Sequence, residues 1–185
     1  MSRNKLRQPD KLRIWDLPVR LLHWMLVASI AAAWFTSDQT GPLHEYIGYA
    51  AVGVVAARLL WGFVGNRYAR FSGFVVGARP TLAYARQVIQ GRAPRHLGHN
   101  PLGGAMVVAL LSCVALVAFS GWLMTTDLLW GYAWPVLIHE TLAWTLVALI
   151  AAHVGGVLFT SWHQRENLVG AMVTGDKRPE DAAGH

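Results

Sequence analysis

The sequence predicts an all-α integral membrane protein, a four-helix bundle whose two termini lie on the cytoplasmic side. Three observations predict it. Of the 185 residues, 54% are hydrophobic and only 14% charged, which is too apolar for an ordinary soluble domain of this length. Four apolar stretches are each long enough to cross a bilayer, which takes roughly 20 residues of helix. The basic residues fall almost entirely on one side of those stretches.

In chain order, a cytoplasmic segment, residues 1–16, precedes the first span, residues 17–35, "LPVRLLHWMLVASIAAAWF". Its "ASIAAA" resembles a cleavage site, but the apolar run exceeds a usual signal-peptide core and three more spans follow, so it is expected to stay as a spanning helix. The second span covers residues 43–64. The cytoplasmic loop 65–100 contains "TLAYARQVIQ", which reads either as a short amphipathic helix on the inner surface, ended by Gly91, or as a solvated loop. The third span, residues 101–125, holds the only cysteine, Cys113, which permits no internal disulfide and reads as a small apolar filler. The fourth span covers residues 136–162, and a cytoplasmic tail, 163–185, follows. Pro18, Pro42 and Pro101 each stand in a first turn, where proline removes no helical hydrogen bond.

The charge pattern sets the orientation. Arg3, Lys5, Arg7, Lys11, Arg13 and Arg20 lie at the start of the chain. Arg67, Arg70, Arg79, Arg86, Arg92 and Arg95 lie in the long loop, and Arg165, Lys177 and Arg178 in the tail. The two short connections carry no Lys or Arg. Fifteen of the sixteen basic residues therefore share one side, which the positive-inside rule makes cytoplasmic. Trp15, Trp61 and Trp162 near the inner ends, and Trp34, Trp122, Trp130 and Trp134 near the outer ends, form the expected aromatic belts. The net charge of +6 thus belongs to membrane flanks, which argues against a nucleic-acid partner.

Of eight histidines, His96, His99, His163 and His185 lie in the loop or tail and read as ordinary interfacial residues. His23, His44, His139 and His153 lie within spans, where an ionisable residue is costly and points to function. Fourteen residues separate His139 from His153, which leaves them about 40° apart around the helix and about 21 Å apart along it. They share a face at two depths. His44 opens its span level with His139, and His23 lies near the level of His153. The candidate pairs are therefore His44 with His139 and His23 with His153. Two imidazoles facing across a gap, twice in one bundle, suit bis-histidine haem b. Zinc wants three or four protein ligands, and a proton relay wants carboxylates that here sit only at the outer edge, as Glu45 and Glu140. There is no CxxCH, so no covalent c-type haem is expected.

Gly48, four residues after His44, and Gly156, three after His153, with Gly155 beside it, suit a porphyrin lying against a helix. They suit helix–helix contact equally well. Arg58 shares the face of His44 about 21 Å deeper, at the inner level. There it reads as the partner of a haem propionate or as a side chain snorkelling to headgroups. Arg20, one turn before His23, is the second such candidate.

"RIWDLPVRLLHW", "LHEYIGY" followed by "RLLWGFVG", "IHETLAW" and "HVGGVLFTSWHQRENLVGAMVTG" together resemble the bacterial cytochrome b561 family, which includes the b-type cytochrome subunit of nickel–iron hydrogenases. The likeness runs from about residue 12 to residue 178. It implies a four-helix protein of the bacterial cytoplasmic (inner) membrane with two non-covalent haems b on His23, His44, His139 and His153. Such a protein carries electrons between a quinone pool, ubiquinone or menaquinone, and a redox partner, either a c-type cytochrome or a hydrogenase-like subunit. "RENLVGAMVTGDKR" looks like members associated with dihaem cytochromes c. A second reading, taken from some relatives, is oxidation of superoxide at the outer face with quinone as acceptor. The outer residues Asp38, Glu45, Asp127 and Glu140, with no Lys or Arg among them, argue against an anionic substrate and suit a basic docking partner. A third reading is a haem-free transporter or structural bundle, which the absorbance of the purified protein separates from the others.

Overall fold

The computed structural model describes residues 11–38 and 42–179. Arg3, Lys5, Arg7 and His185 lie outside the described residues. Four long helices dominate: α1 (Leu17–Phe35), α2 (Leu43–Val64), α4 (Pro101–Met124) and α5 (Ala133–His163), each long and apolar enough to cross a membrane. Their starts follow from side-chain chemistry. The Asp16 carboxylate accepts from Val19 N–H at the head of α1, and the Asn100 side chain accepts from Gly103 N–H at the head of α4. Pro42 precedes the first residue of α2, as its cap. Helix α5 begins at Ala133, three residues before the predicted start of the fourth span. Pro135 falls in its first turn, where the missing N–H has no helical acceptor to lose.

Helix α3 (Ala78–Ile89) settles the open reading of the long loop as helix. It buries Tyr84, whose hydroxyl donates to the Pro94 carbonyl, and Gly91 ends it at φ 68°, a conformation other side chains resist.

The helices pack α1 on α2, α2 on α4 and α4 on α5, and α3 rests on α4. Among the described residues α5 has no comparable backbone packing against α1 or α2. These helices meet through side chains instead. Leu26 and Ile30 of α1, Val55 of α2 and Leu146 of α5 join Leu111 and Val114 of α4 in one apolar layer at mid-height, and Cys113 packs there too. Outward-facing residues such as Leu60, Phe63, Leu137 and Leu158 stay exposed, as expected of a lipid-facing surface.

At one end the chain builds a cap that the sequence pattern did not announce. The two-residue strands β1 (Leu12–Arg13) and β2 (Asp176–Lys177) pair antiparallel, with the short helix α6 (Leu168–Thr174) just before β2. Ile14, Trp15, Val19, Ala69 and Ala171 form a second buried cluster there. The start of the chain, the long loop and the tail are thus tied to one another. Every described basic residue outside α2 lies in these segments or at the adjoining helix end, and this is called the basic end below.

Candidate functional site

The four intrahelical histidines stand in two facing pairs. At the far end, the rings of His44 and His139 have centroids 6.1 Å apart and planes at 84°. His44 Nδ1 is 2.9 Å from the Ala33 carbonyl of α1. A carbonyl only accepts, so Nδ1 carries the proton and Nε2 keeps its lone pair. His139 is fixed the same way, with Nδ1 3.0 Å from the Val117 carbonyl and 3.0 Å from Ser120 Oγ. Both rings therefore present Nε2 as a metal donor while a backbone carbonyl orients them, the arrangement that ligating histidines use. Gly121 lets α4 come this close: a Cβ there would sit 3.1 Å from His139 Cε1.

Nearer the basic end, His23 and His153 have ring centroids 6.5 Å apart and planes at 53°. Trp24 abuts His23 edge-on at 5.1 Å. His23 Nδ1 is buried without a partner, and so are Arg20 Nε, Arg58 Nη1 and His99 Nδ1. Glu166 Oε2 also lacks a well-aligned hydrogen bond, but the Lys177 ammonium faces it at 3.5 Å. Arg20 Nε and Arg58 Nη1 are donors in every state, whereas the role of each imidazole nitrogen follows its tautomer. Buried polar groups left unpaired cost stability, and the two guanidinium N–H groups call for acceptor atoms from elsewhere.

Arg58 is only 8% exposed. Its guanidinium lies 5.0 Å over the Phe71 ring, and Nη2 donates to the Ala69 carbonyl at 3.2 Å. It is held inside, and Nη1 is left over. Arg20 Nη1 donates to the Val173 carbonyl at 2.6 Å, which ties α1 to α6. Gly48 and Gly156 both border open space, as does Gly155: an added Cβ would meet nothing within 4 Å. Among the described residues no three of His, Cys, Asp and Glu converge to hold a bare ion.

Sequence reasoning read His99 as an ordinary interfacial loop residue. It does lie in the loop, just before the α4 cap, but it packs between Trp15, at 4.6 Å, and Phe74, at 4.5 Å. Burial, assisted by the charges of Arg58 and Lys177 and by His153 and His23, lowers its pKa to about 3, so the ring is neutral. The Asn-Pro pair after it, a helix-start signature, was the one available sign that His99 sits at a helix entrance. Gly121 and Ser120 were also passed over, because nothing in their spacing links them to a histidine nineteen residues away.

An apolar four-helix bundle with oriented imidazoles facing across it defines a class, membrane proteins able to grip a planar metal cofactor between helices. The chain belongs to the prokaryotic cytochrome b561 family, whose model matches residues 14–175. It is therefore a membrane b-type cytochrome, an electron-transfer protein whose cofactor is haem b. It is 25% identical to a probable Ni/Fe-hydrogenase B-type cytochrome subunit of Azotobacter vinelandii, across 97% of this chain and 95% of that one. It is 22% identical to a protein of the same description from Rhodobacter capsulatus, across 95% of this chain and 85% of that one. No solved structure matches it.

Proposed function

We propose that this chain is a dihaem conduit of the bacterial cytoplasmic membrane, passing electrons between a quinone pool and a redox partner. His44 and His139 hold an outer haem, His23 and His153 hold an inner one, and both termini are cytoplasmic.

The observation that carries the reading is the ring spacing. A metal–imidazole bond is about 2.0–2.1 Å. With about 1.1 Å from nitrogen to ring centre, two rings gripping one metal from opposite sides have centres about 6.3 Å apart. The two pairs stand at 6.1 and 6.5 Å. The orphaned Arg20 and Arg58 nitrogens at the inner level suit propionate carboxylates, and the open space beside Gly48 and Gly156 suits a flat macrocycle.

Haem b, when bound, supplies reversible one-electron iron chemistry. The chain supplies the rest. Histidines on separate helices fix two depths, and the apolar layer of Leu26, Ile30, Val55, Leu111, Val114 and Leu146 keeps water out between them. The basic end faces the cytoplasm by the positive-inside rule. The hydrogenase-like partner rests on the descriptions of the two relatives. The acidic far end, with Asp38, Glu45, Asp127 and Glu140, would also receive a basic c-type cytochrome, and it would repel superoxide.

Quantitative dithionite-reduced minus air-oxidised spectra test the reading. Two low-spin b-type haems per chain are expected, reduced by a hydrogenase or cytochrome partner faster than by superoxide. A colourless protein would refute it and leave the haem-free transporter. One further expectation follows at the outer pair. Gly121→Val pushes on the His139 ring and breaks its alignment with the Val117 carbonyl, an overpacking cost of about 1–3 kcal/mol. The variant should lose outer haem during purification while keeping the inner one, as read by haem content per chain. Full retention of both would show that the close approach of α4 is not what seats the ring.

A further inference from the structure

Among the described residues, His99 is a partly buried histidine that the conduit does not use, with its Nδ1 out of reach of solvent. The structure holds it in place from three sides. Trp15 and Phe74 flank the ring, the Asn100 cap starts α4 immediately after it, and Lys177 donates to the Leu97 carbonyl at 3.0 Å and reaches the His96 carbonyl at 3.4 Å. A loop fastened this way has no freedom to swing the ring out to solvent. Yet Nδ1 finds no hydrogen-bond partner. A residue kept only for packing would be better served by an apolar ring of similar size, because a buried unsatisfied polar group costs about 1–3 kcal/mol.

The surroundings point to what the missing partner is. Phe74 packs on Phe71 at 5.7 Å, and Phe71 lies under Arg58, so His99, Phe74, Phe71 and Arg58 form a continuous run of contacts. His99 also senses the charges of Arg58, His153 and His23. The orphaned nitrogens of His99 and Arg58 thus belong to one neighbourhood, at the level of the His23–His153 pair. Among the described residues, the nearby acids already have partners, although the charge of Asp16 reaches Arg58. Asp16 accepts from Val19 N–H and from the Trp61 indole, and Glu166 lies between Arg95 and Lys177.

We propose that His99 is a positioning residue of the inner haem, donating a ring N–H to a propionate carboxylate that Arg58 also binds. The inference rests on the dihaem reading above. It adds a neutral donor beside a cationic one, so the carboxylate stays ionised while part of its negative charge is drawn off through the hydrogen bonds. The inner iron then feels less negative charge, which favours its reduced form.

The test is a spectroelectrochemical redox titration of the full-length protein, with the outer haem as internal control, on wild type, His99→Leu and His99→Gln. Gln keeps an N–H donor at similar reach; Leu does not. The expected result is that His99→Leu lowers the reduction equilibrium constant of the inner haem about tenfold, a 59 mV shift for a one-electron couple. His99→Gln should restore most of it, and the propionate bending band in resonance Raman should move in the Leu variant alone. If Leu and Gln behave alike, whether both match wild type or both shed the inner haem, His99 is only filling space and the proposal is overturned. A shift confined to the outer haem overturns it too. A wild-type protein without haem would instead remove the dihaem reading on which it rests.

Discussion

If the chain is the proposed dihaem conduit, His153→Ala should leave about one haem per chain in place of two, and His44→Ala should do the same by losing the other haem. A bis-histidine haem without covalent attachment depends on both axial bonds, and among the described residues no third His, Cys, Asp or Glu converges on either pair to replace a lost ring. The pairing makes a stronger statement than a single loss. His23→Ala and His153→Ala should give one residual spectrum, and His44→Ala and His139→Ala a different one, because each couple leaves the same haem intact. Reduced-minus-oxidised spectra and redox titration of the four variants check this. If His44→Ala and His153→Ala lost the same haem, the grouping by depth would fail, and with it the two-level conduit. The far pair should tolerate less change in its support. There, both Nδ1 atoms are committed to the Ala33 and Val117 carbonyls, which fixes tautomer and ring angle before any cofactor arrives.

What the sequence revealed and what it hid follow from the range of the interactions involved. Spanning helices announce themselves, because a bilayer demands a long apolar run with its backbone hydrogen bonds satisfied internally. The histidines were visible because imidazole inside such a run is costly, and because a spacing of fourteen returns to nearly the same helix face. Arg58 was visible for the same reason, though only the structure shows its guanidinium over the Phe71 ring and its spare nitrogen. The cap was not legible. Its strands are two residues long, and its ties join Arg20 to Val173 and Leu12 to Lys177 across most of the chain, and Arg95 to Glu166 across 71 residues. No periodicity encodes contacts of that kind. His99 read as an ordinary loop histidine because its packing depends on that cap, and Gly121 went unnoticed because its role is a distance to another helix.

Glu166→Leu should open the cap without unfolding the spans. Glu166 is 7% exposed and Lys177 5%, so these are charges largely removed from water. One carboxylate serves both cations, with Oε1 3.0 Å from Arg95 Nη2 and Oε2 3.5 Å from the Lys177 ammonium. It also accepts from Arg178 N–H at 3.1 Å. Burial pushes the Lys177 pKa down, and Glu166 is the neighbour that pushes it back up. Removing the carboxylate leaves the buried Lys177 ammonium and the partly exposed Arg95 guanidinium with backbone carbonyls as their only partners, a loss of up to about 3–5 kcal/mol for a buried pair broken on one side. Glu166→Gln, which keeps the shape and an acceptor, should cost less. The spans are held by lipid and by the mid-height apolar layer, so the damage stays local: faster hydrogen exchange in residues 95–99 and 168–178, and little change elsewhere. It should also reach the inner haem. The carbonyls of Met172 and Val173 in α6 hold Trp24 and Arg20, which flank His23, and a loosened α6 releases both. The expected outcome is a shifted or partly lost inner haem beside an unaltered outer one. Unchanged exchange in both segments would mean that the ion cluster adds nothing to the cap. Faster exchange with an untouched inner haem would mean that the cap protects the surface of the bundle but does not position His23.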